Sequence, residues 1–170
     1  MSIPSGEDLK LTTGSGLNLD LGVHATWQFN RSEDIRPRLD LLTFSGGHQD
    51  ALTPLVQHLD TKVQGLSLGT EFLYHVGDSS RVEPRNGPWA VGAGVYLIRW
   101  SVDSTNQVGL PGAGSTQASG TSHWTRMGYG LVSSYRLTPR LEAEARWIAS
   151  HYGYENLPAR FGTIGLLWHF

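Results

Sequence analysis

Residues 17–29 read LNLDLGVHATWQF. Leu17, Leu19, Leu21, Val23, Ala25, Trp27 and Phe29 alternate without a break with Asn18, Asp20, Gly22, His24, Thr26 and Gln28. A sustained period of two puts each set on its own face of an extended strand, whereas a helix returns to one face every 3.6 residues. The stretch therefore predicts a β-strand whose two faces differ chemically.

The same alternation recurs along the chain: in Leu39, Leu41 and Thr43; in Leu66, Leu68, Thr70, Phe72, Tyr74 and Val76; and in Trp89, Val91, Ala93, Val95 and Leu97. It returns in Met127, Tyr129, Leu131, Ser133 and Tyr135, in Leu141, Ala143, Ala145, Trp147 and Ala149, and in the last residues, Ile164, Leu166, Trp168 and Phe170. These make seven strands, and an eighth, short one is expected at EDLKLTT, residues 7–13, ahead of the turn-forming TGSG. The connections NRSEDIR and LTP are short. Residues 46–62 and 102–121, rich in Gly, Ser, Thr and Pro, read as long loops that up-and-down strands would carry to one end. A helical turn or two is possible in DALTPLVQHLD, and Pro54 stops anything longer. Residues 1–170 read as a single domain.

The chain has no Cys, which excludes disulfides, thiolate metal sites and a thiol nucleophile. A formal charge of -2 gives no electrostatic reason to expect nucleic acid as a partner. Of 13 basic residues only Lys10 and Lys62 are Lys, which is sparse for a surface facing water. No apolar run reaches the roughly 18 residues that a spanning helix needs. No charged segment followed by an apolar one precedes MSIPSGEDL, so an exported protein is expected here as a mature form carrying an added initiator Met.

Alternation alone does not say which face meets which solvent, since a sandwich or a soluble ligand-binding barrel also alternates. The polar face carries Asp20, His24, Arg38, Asp40, Glu71, His75, Arg126, Arg136, Glu142, Glu144 and Arg146, interleaved with Gly69, Gly92, Gly94, Gly128 and Gly130. Glycines beside long charged side chains suit a confined interior. On the apolar face, Trp27, Phe29, Tyr74, Trp89, Tyr135, Trp168 and Phe170 fall at the end with the short turns. Trp147 is expected to begin the opposite ring, with Trp124 and Phe161. Rings gathered at one level are what a membrane interface selects. Strands of roughly 9–11 residues suffice to cross the hydrocarbon when tilted, and a sheet in lipid must close on itself because unpaired backbone groups cost several kcal/mol each. A terminal Phe170 is then tolerable, paired on both sides with its ring in the interface.

These features resemble the small eight-stranded outer-membrane barrels of the OmpA/OmpX type, over nearly the whole chain. The residues that carry the resemblance are the alternating strands, the hairpin YRLTPRLEAEARW and the terminal TIGLLWHF. It implies a monomeric transmembrane up-and-down β-barrel in a bacterial outer membrane, with the lipid bilayer as partner and Phe170 read by the assembly machinery. It implies no cofactor and no metal. The first strand departs from the family in being shorter and more polar.

Inside such a barrel five carboxylates and four arginines are expected to pair as a structural plug, a proton or ion path being the sharper alternative. Catalysis is tested by ASHYGYENL, which brings Ser150, His151 and Glu155 together, the parts of an acyl-transfer site. Lipid A deacylases resemble this chain in size and barrel type, but their Ser follows the His by two residues, where Gly153 stands here. Adjacent Ser150 and His151 also point to opposite faces of a strand. GLPGAGST lacks the Lys of a phosphate loop, and the pairs His48/Asp50 and His58/Asp60 read as loop polarity. The expectation is therefore a non-enzymatic structural or surface-interaction role. Transport through the barrel, lipid A hydrolysis and a soluble ligand-binding barrel are the alternatives.

Overall fold

A computed structural model describes residues 2–4, 19–30, 32–52, 55–76, 88–109, 115–152 and 157–169. Its elements are β1 (Ser2–Pro4), β2 (Leu19–His24), β3 (Trp27–Gln28), β4 (Glu33–Leu52), β5 (Leu55–Val76), β6 (Trp89–Gly109), β7 (Ser115–Thr138), β8 (Leu141–Tyr152) and β9 (Leu157–Trp168). All pairings are antiparallel, in the order β1-β9-β8-β7-β6-β5-β4-β2, with β3 on β4 below β2. Eight strands thus run up and down round one sheet, which curls into a half-barrel. The segment 7–13, expected as the first strand, lies outside the described residues, as does Phe170.

The expected strand at 17–29 is broken into β2 and β3, and Pro37 supplies the reason. Ala25 N–H donates to the Pro37 carbonyl at 3.0 Å, so Pro37 turns its backbone toward this strand without an N–H to return. The ladder therefore stops at His24↔Arg38 and resumes at Trp27↔Ile35.

The segments read as loops at 46–62 and 102–121 are strand over most of their length, and the helical reading of 50–60 fails with them. Pairing runs without interruption from Glu33↔Tyr74 to Leu52↔Leu55 and from Val76↔Trp89 to Val56↔Gly109. Strands β4 to β7 hold 20, 22, 21 and 24 residues against 12 each in β8 and β9, so two hairpins rise well beyond the rest of the sheet.

The two faces exchange character part-way up the long strands. Along β5 the outward residues run Asp60, Lys62, Gln64, then Leu66, Leu68, Thr70, Phe72, Tyr74 and Val76, while the inward ones run Val63, Gly65, Ser67, Gly69 and Glu71. Along β6 the outward residues change from Trp89, Val91, Val95 and Leu97 to Arg99, Ser101 and Asp103, as the inward ones become Tyr96, Ile98 and Trp100. Leu66 pairs with Arg99, which pairs with Thr125, so the exchange falls at the same rung on three strands. On one side of that rung the sheet is apolar outside and ionic inside. On the other it is polar outside and apolar inside.

An apolar interior spans the rung and continues beyond it, built from Leu42, Phe44, Val63, Tyr96, Ile98, Trp100, Ile148, Ala159 and Phe161. Phe44, Trp100 and Phe161 fill the cross-section with ring centroids 5.5, 6.1 and 6.3 Å apart. Phe161 is fully buried and Trp124 packs against this cluster, so neither belongs to an outer aromatic ring. A smaller apolar group, Leu73, Ala90 and Val132, lies toward the short turns.

Candidate functional site

Between these two apolar layers lies a cluster of buried charges. Arg36 and Arg38 come from β4, where alternate residues Asp34, Arg36, Arg38 and Asp40 all turn inward and are at least nine-tenths buried. Arg36 donates to Glu142 and Glu144 on β8, each at 2.7 Å. Arg38 grips Asp40 through two nitrogens at 2.8 and 2.9 Å and donates to Glu71 at 2.8 Å and Glu144 at 2.9 Å. Arg146 reaches Asp20 at 2.8 Å, Asp40 at 3.1 Å and Glu144 at 3.0 Å. Five carboxylates thus converge on three guanidiniums, and the pairs run across the half-barrel from β2 and β4 to β8. Planar Arg side chains suit this role, since each offers several donors in fixed directions.

Tyr96 O–H donates to Glu71 Oε1 at 2.8 Å. Its ring lies over Gly69 and Gly94, where a methyl group at either position would overlap it. The glycines are therefore the space into which the tyrosine fits. His75 Nε2 lies 2.8 Å from Asp34, His169 Nε2 lies 3.1 Å from Glu142, and His24 and His169 meet edge to face at 5.5 Å.

Of the residues expected to line the interior, Asp20, Arg38, Asp40, Glu71, Glu142, Glu144 and Arg146 meet in this cluster, with His24 and His75 at its margin. Arg126 is half-buried at the middle of β7 and donates to the Thr125 carbonyl, and Arg136 is half-buried near the strand's C-terminal end, opposite Glu142. Arg36, Asp34, Tyr96 and His169 are additional members. Arg36 and Asp34 fell in the supposed connection NRSEDIR, although they extend the polar alternation of Arg38 and Asp40 backward across Pro37.

Of the aromatics expected at an interface, Trp27, Phe29, Tyr74, Trp89, Tyr135 and Trp168 are exposed near the short-turn end, and Trp89 and Tyr135 pack edge to face at 5.2 Å. Trp147 is exposed but lies in the rung Trp147–Leu131–Ala93–Phe72, within the apolar stretch and not at its far rim. Ser150 is buried and donates to the Met127 carbonyl at 2.9 Å, whereas His151 is exposed. The two do not form a nucleophile and base. The ladder sets His48 against Leu59 and His58 against Gln49, so the two His-x-Asp pairs are not opposed.

Among the described residues no ladder joins β2 to β9. A cavity of about 150 Å³ opens there, between Asp20–Gly22 and Thr163–Leu167, and reaches the charge cluster. No protein-family model matches the chain, and comparison with curated proteins finds no match.

Proposed function

We propose that this chain is a bacterial outer-membrane β-barrel protein, held in the bilayer by its outward apolar belt and serving a structural or surface-interaction role. The observation that carries this reading is the exchange of faces at Leu66↔Arg99. A continuous outward band of leucines is costly in water and marks a face that meets an apolar medium or a partner, and its extension around the sheet favours the bilayer. The belt from Leu66 to Val76 covers eleven residues, and ten steps of about 3.3 Å at a tilt near 40° give roughly 25 Å, the height of the apolar band on such barrels. Past the rung the outward Lys62 and Asp103 and the inward Trp100 are ordinary for a barrel in water. The hairpins of β4–β5 and β6–β7 then stand in the aqueous phase, where a surface partner would meet them.

Axial transport is disfavoured by the layer of Phe44, Trp100 and Phe161 across the interior, and acyl hydrolysis by the outward turn of His151 away from Ser150. The charge cluster is read as an ion-paired plug that fixes the sheet's curvature.

The absence of Cys allows a direct test. Lys62→Cys and Leu68→Cys lie six residues apart on the same outward face of β5, and both positions are exposed. After reconstitution in lipid vesicles, a membrane-impermeant maleimide is expected to label the first and spare the second. Equal labelling at both positions refutes the membrane reading. So would a chain that dissolves in plain buffer and migrates identically on a gel before and after boiling.

A further inference from the structure

We propose that the upper half of β7 is a self-recognition edge, which pairs antiparallel with the same stretch of a second copy of this chain standing in a facing membrane. Strand β8 accompanies β7 only from Tyr129 to Thr138, whereas β6 pairs with it from Ser115 onward. From Ser115 to Trp124, β7 therefore has one neighbouring strand among the described residues. Every second residue there turns its N–H and C=O away from β6, with no strand to receive them. All eight residues from Thr116 to His123 are exposed, so both faces of the strand are open as well. Protein edges are normally blunted by charges, Pro or a bulge. The stretch STQASGTSHWT, residues 115–125, has no Asp, Glu, Lys, Arg or Pro, and its ladder to β6 is unbroken. The other edge of the protruding sheet, β4 beyond Thr43, carries Asp50.

Symmetry and charge select the occupant. A two-fold axis normal to the sheet lays an antiparallel edge on itself, so the strand is its own complement in hydrogen bonding. Because the stretch is uncharged, self-pairing sets no like charges together. Two copies in one bilayer are related by an axis along the bilayer normal, which points both β7 strands the same way. The antiparallel ladder therefore requires a copy from a facing membrane, and to that extent it rests on the membrane reading above. The height of the hairpin permits it. Thr125 lies on the rung where the faces exchange, and ten steps of about 3.3 Å at a tilt near 40° set Ser115 roughly 25 Å above it. A two-fold at Ala118 then stands about 18 Å above the belt and holds the two belts about 36 Å apart, which leaves about 10 Å beyond Ser115. It opposes Ser115 with Thr121, Thr116 with Gly120 and Gln117 with Ser119, all uncharged, and a Cβ at Gly120 would meet open space. A ladder of this length is weak singly, but many copies on each surface add their contacts.

The test uses the whole chain reconstituted in phosphatidylcholine vesicles, with vesicle clustering followed by turbidity. The unaltered chain is expected to cluster them. Ala118→Lys and Ala118→Glu, at an exposed position, each set a like charge opposite itself and should slow clustering at least about ten-fold. Mixing vesicles that carry Ala118→Lys with vesicles that carry Ala118→Glu should restore clustering, which also shows that both variants fold. Three results overturn the proposal: no clustering by an unaltered chain that floats with the vesicles, undiminished clustering by either variant alone, or no recovery on mixing. The last is the outcome for a β7 edge that pairs with β4 of another copy or with a different protein. A chain that does not float with the vesicles refutes the membrane reading separately. The edge is then judged in buffer by light scattering, where the two variants should be monomers apart and a dimer together, and monomers in the mixture overturn the pairing.

Discussion

Replacing Arg38 by Met gives the sharpest test of how the interior is held together. Arg38 is 3% exposed at its side chain and makes four hydrogen bonds to three carboxylates, Asp40, Glu71 and Glu144. Hydrogen bonds involving charged groups each contribute roughly 1.5–3 kcal/mol, so a simple sum reaches about 6–12 kcal/mol. That sum overstates the loss. Arg146 already touches Asp40 at 3.1 Å, Glu144 at 3.0 Å and Glu71 at 3.9 Å, and Arg36 lies 2.7 Å from Glu144, so Asp40 and Glu71 each retain one guanidinium and Glu144 two. The loss expected on removing one partner of a buried pair, about 3–5 kcal/mol, is therefore the better figure, and it is a large part of a typical stability of roughly 5–15 kcal/mol. Arg38→Met/Glu71→Gln should recover part of it, because the double variant has one fewer buried charge to compensate. The measurement is urea unfolding in detergent micelles followed by fluorescence of the six Trp residues. If Arg38→Met unfolds within about 1 kcal/mol of the unaltered chain, the cluster is not holding β4 to β8 and the reasoning fails.

Four other outcomes follow from the same geometry. Leu68→Arg, in the middle of the outward belt, should cost about 2–4 kcal/mol in lipid and less than about 0.5 kcal/mol if that face meets water, as read by urea unfolding in vesicles. Tyr96→Phe removes one of the two donors to the fully buried Glu71 and should cost about 1–3 kcal/mol in the same assay. Gly69→Ala should force the Tyr96 ring aside and break that hydrogen bond too, so combining it with Tyr96→Phe should cost less than the sum of the two. Trp100→Ala leaves a void between Phe44 and Phe161 and should cost about 3–5 kcal/mol, with vesicle conductance as a second readout of whether the layer seals the interior.

The strands within the belt were legible because each of their faces meets a different medium, and period two is the direct record of that difference. Residues 66–76 and 89–97 display it plainly. The upper parts of β4 to β7 were not legible as strand for a related reason. At the rung Leu66↔Arg99 the apolar residues pass from the outward to the inward set, and a pattern sought with constant phase ends there although the backbone pairing continues. Ile98, Trp100 and Val102 were visible as an alternating series one residue out of step with Val95 and Leu97. Taken as a phase shift, they place the inner aromatic layer and correct the assignment of Phe161 and Trp124. The seam was not legible at all, since no local pattern records which rungs lack a partner.

The charge cluster was legible as a set of residue types and misjudged as a balance. Counting every inward charge gave five acids and four arginines, with Arg126 and Arg136 included and Arg36 left in a turn. Position along the strand decides otherwise. Arg136 stands opposite Glu142 at the last regular rung of β7, and Arg126 stands opposite Ile98 at the apolar layer, whereas Arg36 is central and fully buried. Among the described residues the acids consequently outnumber the guanidiniums at the seam, and Asp20 Oδ1 has no hydrogen-bond donor. A plug serving stability alone gains nothing from that arrangement, because exchanging Asp20 for Asn would relieve the excess charge while keeping an acceptor for Arg146. Stability should therefore rise or stay level in Asp20→Asn, as read by urea unfolding in detergent micelles. A loss of about 3–5 kcal/mol would instead place Asp20 with the other acids of the plug.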